Sequence, residues 1–196
     1  MSAAKRRLIG LDPGLRFTGW GIVDMQGSKL THIGNGAVRS DAALPLAERL
    51  LQLDEGLDAV VREYAPDHAA VEQTFVNRDG AATLKLGQAR AVCLLVPARR
   101  HISVSEYAPN FIKRSVTGSG HADKHQIKTM VQMLLPQAEI ANEHAADALA
   151  VAITLAHAGD FGGKMQAAIE RAETKGTVIS LAVCVGVLTG AAMAGR

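Results

Sequence analysis

Residues 7–24, RLIGLDPGLRFTGWGIVD, decide the architecture. Residues 8–11 are a short apolar run ending at Asp12-Pro13-Gly14, and an apolar pattern resumes at residues 19–24. Runs of this length bounded by turn residues read as buried strands. A third candidate covers residues 30–38, so the chain opens with three strands joined by tight turns, an antiparallel meander. The period then changes. Across residues 45–64, Leu46, Leu50, Leu53, Leu57, Val60 and Val61 recur at three- and four-residue spacing, which predicts an amphipathic helix stopped by Pro66-Asp67. Residues 68–72 (HAAVE) read as a strand, 80–96 as a helix and 102–107 as a strand, with helices at 109–116, 124–135 and 143–157. Three strands followed by helix and strand in alternation predict an α/β fold, a mixed five-stranded sheet with helices covering its apolar faces.

A chain of 196 residues has room for one domain with a tail. Its 48% hydrophobic and 20% charged residues describe a globular protein and exclude global disorder. The net charge of +2 permits nucleic-acid binding without demanding it, so any such surface must come from local clustering of basic side chains. Cys93 and Cys184 sit among aliphatic residues and read as buried free thiols; with an N-terminal apolar run too short for a signal-peptide core, this points to the cytoplasm. Residues 159–163 (GDFGG) read as a linker, dividing a domain at 1–159 from a tail at 160–196. The tail holds a charged helical segment at 164–175 and then TVISLAVCVGVLTGAAMAG, which carries no charge. That stretch is about long enough to span a bilayer, but its Gly, Ala, Ser and Thr content makes it only moderately apolar. A helix packed on the domain or its dimer, or an unstructured end, is expected there in preference to membrane insertion.

Four potential metal ligands stand out. Asp12 projects from a strand end into a turn, and Glu72 ends the strand HAAVE. His144 and Asp147, three residues apart at the start of an apolar helix, share one helix face. Carboxylates gathered beside apolar strands repel one another and lose solvation unless a cation sits between them. Oxygen-rich sets of this kind suit Mg²⁺ or Mn²⁺, and a metal pair can drive phosphodiester hydrolysis. Taken singly, each residue has a structural reading: Asp12 as a turn former, Glu72 as a solvated strand end, Asp147 as a charge favoured by the helix dipole, His144 as a half-buried helix residue.

The segments LIGLDPGLRFTGWGIV, AAVEQTFVNRDGAATLKLGQARA and HAADALAVAITLAH, taken in order, closely resemble the RuvC family of Holliday junction resolvases. The run from Glu72 through Phe75 to LKLGQAR is the most specific part, although Ala91 stands where a Gly is usual. The resemblance implies a ribonuclease-H-like fold and a homodimer that nicks opposing strands of four-way junction DNA symmetrically, leaving ligatable 5′-phosphate and 3′-hydroxyl ends. It implies Asp12, Glu72, His144 and Asp147 as ligands of two Mg²⁺ per subunit, with Mn²⁺ a substitute; many members carry Asp where His144 stands, which removes one negative charge from the second metal's shell. Lys113 and Lys124 match basic residues that meet phosphate near the cut, and Phe75 matches an aromatic that stacks on unpaired bases. Arg78, Lys85, Arg90, Arg114 and Lys128 occur in the same segments and are further candidates for DNA contact. The helix at 80–96 carries small and aliphatic residues that suit either a dimer mate or burial within one subunit. The partners the resemblance suggests are the RuvA and RuvB branch-migration proteins.

Two other classes compete. GLDPGLRFTGWG also looks like the phosphate loop of sugar-kinase and actin-like ATPases, but those enclose the nucleotide between two duplicated lobes, and no second such loop follows here. A junction-binding protein without catalysis would keep the fold and lose the metal chemistry; activity alone separates it.

Overall fold

The computed structural model describes residues 4–74 and 79–174, with side chains of the last helix described as far as Ala158. The chain divides into two units, Met1–His157 and Ala158–Arg196. In chain order the elements are β1 (Arg6–Asp12), β2 (Phe17–Gln26), β3 (Lys29–Arg39), α1 (Leu46–Tyr64), β4 (His68–Glu72), α2 (Gly80–Arg99), β5 (Ser103–Tyr107), α3 (Pro109–Thr117), α4 (Lys124–Leu134) and α5 (Glu143–Thr174). The strands form one sheet in the order β3-β2-β1-β4-β5. The β1–β2 and β2–β3 pairs are antiparallel, while β1–β4 and β4–β5 are parallel. The expected meander followed by parallel strands is therefore present. Residues 159–163, expected as a linker, are helical, as are residues 164–174. The apolar stretch 176–195, with Cys184, lies outside the described residues.

The alternation along β1 sorts the sheet's two faces. Ile9 and Leu11 point to the side covered by α1 and α2, where Leu53, Leu57, Val61, Val92, Cys93 and Val96 bury with them. Leu8 points the other way, into a second cluster with Ile112, Val116, Ile127, Val131 and the apolar residues of α5. Period-2 side-chain alternation puts Gly10 and Asp12 on that same second face. Cys93 is a free, buried thiol, as expected, and burial pushes it up to about 12.

What seats α5 is the absence of side chains beneath it. A β-carbon at Gly10 would fall 2.2 Å from the Ala148 carbonyl oxygen and 2.3 Å from the Ala152 nitrogen. At Gly19 it would fall 2.1 Å from the His144 oxygen, and at Gly21 2.8 Å from the Leu149 nitrogen. The helix answers with small residues of its own: Ala145, Ala146, Ala148, Ala150 and Ala152 are all buried. Helix backbone therefore rests almost directly on strand backbone. Because Gly19 pairs across the sheet with Asp12, the first turn of α5 is delivered to the end of β1.

Gly10→Ala drives a methyl group into the α5 backbone, an overpacking with an expected cost of about 3 kcal/mol. Gly80→Ala, whose added methyl meets nothing within 4 Å, should change stability by less than about 0.5 kcal/mol. Denaturant unfolding of the two variants checks this; equal stabilities would show that α5 is not seated on those glycines.

Candidate active site

Two acidic sheet positions meet at the end where β1 and β4 finish. Asp12 ends β1 and Glu72 ends β4, on adjacent parallel strands whose register pairs Leu11 with Val71. Both follow by two residues a position on the α5 face, Gly10 and Ala70 respectively, so both carboxyls point toward α5. The turn after Asp12 is closed by the Thr18 hydroxyl, which donates to the Gly14 carbonyl at 2.8 Å. Gly14 is required there, since a β-carbon would fall 2.2 Å from the Phe17 oxygen. From the other side α5 supplies His144, with Nδ1 3.8 Å from an Asp12 carboxyl oxygen, and Asp147 one turn on.

Two lysines complete the cleft. An Asp123–Gln126 capping box fixes the start of α4 and with it Lys124, the first residue of the helix. The Lys124 ammonium stands 3.6 Å from Asp147 and 3.9 Å from Glu143. Lys113, on α3, acts electrostatically on Glu72. Asp12, Glu72, Lys113, Lys124, His144 and Asp147 all line one open cavity of about 360 Å³. The other expected DNA contacts lie elsewhere or beyond description. Lys85, Arg114 and Lys128 are exposed on α2, α3 and α4, outside the cavity wall. Arg90 is drawn into an ion pair with Glu106 on β5, which occupies its guanidinium within the domain. Phe75 and Arg78 lie outside the described residues.

Sequence reasoning missed Phe17. It sits in the cavity wall with its ring stacked on His144, centroids 5.3 Å apart and planes 23° from parallel. Its spacing from Asp12, five residues on and past a turn, gives no periodic signal; only the β1–β2 pairing brings it back beside the acid.

Burial and neighbouring charges shift the carboxyls of the cleft. Burial, then repulsion from Asp147, pushes Asp12 up to about 7. Burial, then repulsion from Asp12 and Asp147, pushes Glu72 up to about 8. Burial raises Asp147 as well, opposed by Lys124. Among the described residues no three such donors close on a single point. An open set of hard oxygens and one imidazole suits a cation that keeps water and takes substrate oxygens into its shell.

Comparison with known proteins bears on what the cleft does. The sequence model of the family described as crossover junction endodeoxyribonuclease RuvC matches residues 8–155. The crossover junction endodeoxyribonuclease RuvC of Parvibaculum lavamentivorans is 59% identical over 164 residues, 84% of this chain and 94% of the relative. That of Afipia carboxidovorans is 60% identical over 151 residues, 77% of this chain and 88% of the relative. Among solved structures, T. thermophilus RuvC in complex with Holliday junction substrate superposes with a TM-score of 0.75 at 30% identity, covering 80% of this chain and 96% of that one. The yeast mitochondrial Holliday junction resolvase gives a TM-score of 0.55 at 12% identity over 78% of this chain and 79% of its own, a likeness of fold alone.

The raised carboxyls carry a sign for stability. Unfolded, they ionise near their ordinary values of 3.8 and 4.5; folded, they keep protons up to about 7 and 8. The folded state therefore binds more protons between about pH 4 and 8, and the stability of ion-free protein should fall as pH rises through that window. Melting in EDTA should show this decline between pH 5 and 8, and excess Mg²⁺ or Mn²⁺ should raise the melting temperature more at pH 8 than at pH 6. A melting temperature in EDTA that rises over the same interval would count against the clustered acids.

Proposed function

The chain belongs to the RuvC family of crossover junction endodeoxyribonucleases, and from that premise we propose how its residues divide the work. It is a metal-dependent nuclease of ribonuclease-H-like fold. Its substrate is the four-way Holliday junction, cut by paired symmetric hydrolysis that leaves 5′-phosphate and 3′-hydroxyl ends. The observation that carries the assignment of residues is the convergence of Asp12, Glu72, His144 and Asp147, from two strands and one helix, with Lys113 and Lys124 on a single cleft.

These four residues would hold Mg²⁺, two ions per subunit, with Mn²⁺ a substitute. The metal supplies Lewis-acid polarisation of the phosphodiester and a water acidic enough to attack at neutral pH. Asp12, between Glu72 and His144, is the central ligand. His144 is oriented by its stack on Phe17. Lys113 and Lys124 offset the charge that builds on the phosphate as the bond breaks. Lys124, 3.6 Å from Asp147, would do so from the α5 side of the cleft.

Pairing of the cuts requires two such sites in one assembly. On α2 an exposed stripe of Leu84, Gly87, Ala91 and Leu95 runs along one face, with Leu84 67% and Leu95 56% exposed. Apolar side chains at helical spacing on an otherwise polar surface favour coverage by a second copy, and the small residues let two helices approach closely. We assign this face to the homodimer. The enzyme would act in the cytoplasm on junctions remodelled by RuvA and RuvB. Among the described residues no helix is long and apolar enough to cross a membrane.

Incubated with a synthetic four-way junction and a matched duplex, the protein should nick only the junction, and only with Mg²⁺ or Mn²⁺. Asp12→Asn should retain junction binding and lose cutting by at least about 100-fold; near-normal cutting by that variant would remove Asp12 from the mechanism. Leu84→Glu with Leu95→Glu should halve the solution mass and abolish paired nicking, whereas an unchanged dimer in sedimentation would place the subunit interface elsewhere.

A further inference from the structure

Several arginines of this chain are engaged by carboxylates. Arg7 pairs with Asp24, Arg90 with Glu106, Arg99 with Asp54 and Arg100 with Asp58. Arg16 and Arg39 are different: both are exposed, and among the described residues neither has a carboxylate within ion-pair distance. Each instead lies over the ring of Phe17, with the guanidinium carbon 5.4 Å from the centroid for Arg16 and 6.0 Å for Arg39.

Their placement is built rather than incidental. Arg39 is the cross-strand partner of Phe17 in the β2–β3 pair. The Arg16 carbonyl accepts from the Ser40 backbone N–H at 3.1 Å, and the Ser40 hydroxyl donates to the Leu15 carbonyl. Arg49 reaches over from α1 to brace the same junction, donating to the Ser40 hydroxyl at 3.1 Å and to the Leu15 carbonyl at 3.3 Å. Both guanidinium groups thus lie within cation–π range of one ring, which also stacks on His144.

We propose that Arg16 and Arg39 form a phosphate-binding site for the cut strand, next to the scissile phosphate on the β3 side of the active site. The inference rests on the junction-cutting reading and adds residues that neither sequence pattern nor catalytic role singled out. The sheet order supplies the argument. Arg39 lies on β3, two strands from Asp12 on β1, a distance of roughly 10 Å at ordinary strand spacing. A strand whose phosphate meets Asp12, and whose backbone crosses the sheet end, passes over Phe17 and the two arginines. Guanidinium groups resting on a ring expose their N–H edges, the geometry that grips phosphate oxygens in a two-pronged fashion. Lys113 serves the opposite flank, beside Glu72 on β4.

The test is junction binding in EDTA, titrated over salt concentration, for the wild type, for R16Q/R39Q, for R16K/R39K, and for a control of equal charge change away from the site, R62Q/K29Q. Each lost phosphate contact lowers the magnitude of the salt slope by about 0.7–0.9, so R16Q/R39Q should lose about 1.4–1.8. The lysine pair should keep the wild-type slope, and so should the control. A wild-type slope in R16Q/R39Q, with the wild type binding junctions, overturns the site. Absence of junction binding by the wild type overturns the function itself, and the site with it.

Discussion

The contact between α5 and the glycine positions of β1 and β2 is the constraint on which the site depends. Helices usually pack on sheets through interdigitated side chains, at a separation set by those side chains. Here Gly10, Gly19 and Gly21 remove the lower layer and a run of alanines thins the upper one. The separation is then set by backbone against backbone, which leaves little play in position or rotation. The backbone that carries His144 and Asp147 is consequently fixed relative to β1 and β2 by main-chain contacts. A catalytic group misplaced by an ångström is costly, so ligands carried on a helix locked in this way are well suited to their role.

That rigidity also holds together groups that would otherwise separate. Burial disfavours the charged forms of Asp12, Glu72 and Asp147, and repulsion from Asp147 adds to this at Asp12 and Glu72. Lys124, whose ammonium is largely exposed, repays only part of this, at Asp147. The repayment comes from the apolar clusters on both sides of the sheet, which bury Ile9, Leu11 and Val71 on one face and Leu149 and Ile153 on the other. Stability is thereby invested in holding together acids whose charged forms burial disfavours.

Much of this was legible in the chain because it is local. The period-2 runs around Asp12 and Glu72 and the three-four spacing of α1 each reflect a single element meeting the core, and strand or helix follows without knowledge of the partner. The four candidate ligands were legible for the same reason, since each ends a strand or begins a helix. What could not be read were pairings across the sheet. Phe17 gained its position beside His144 through the register of β1 with β2, and Arg39 through that of β2 with β3. Arg90 was read as a free cation because Glu106, sixteen residues on, carries no mark of being its partner. The sequence carries no mark of why β2 holds Gly19 and Gly21, and only the seated helix shows what they make room for.

The same pairings bear on why an imidazole suits position 144. The face of an aromatic ring is electron-rich, so a carboxylate stacked against Phe17 would be repelled, whereas a neutral imidazole stacks on it and cations lie over it favourably. Phe17 has this combination of neighbours: His144, Arg16 and Arg39. An acid at 144 would add charge to the metal shell but would sit badly on this ring and would draw the arginines toward itself. With His144 the arginines stay on the ring with their polar edges outward. An imidazole at 144 is thus compatible with two positive charges on the ring that it stacks against.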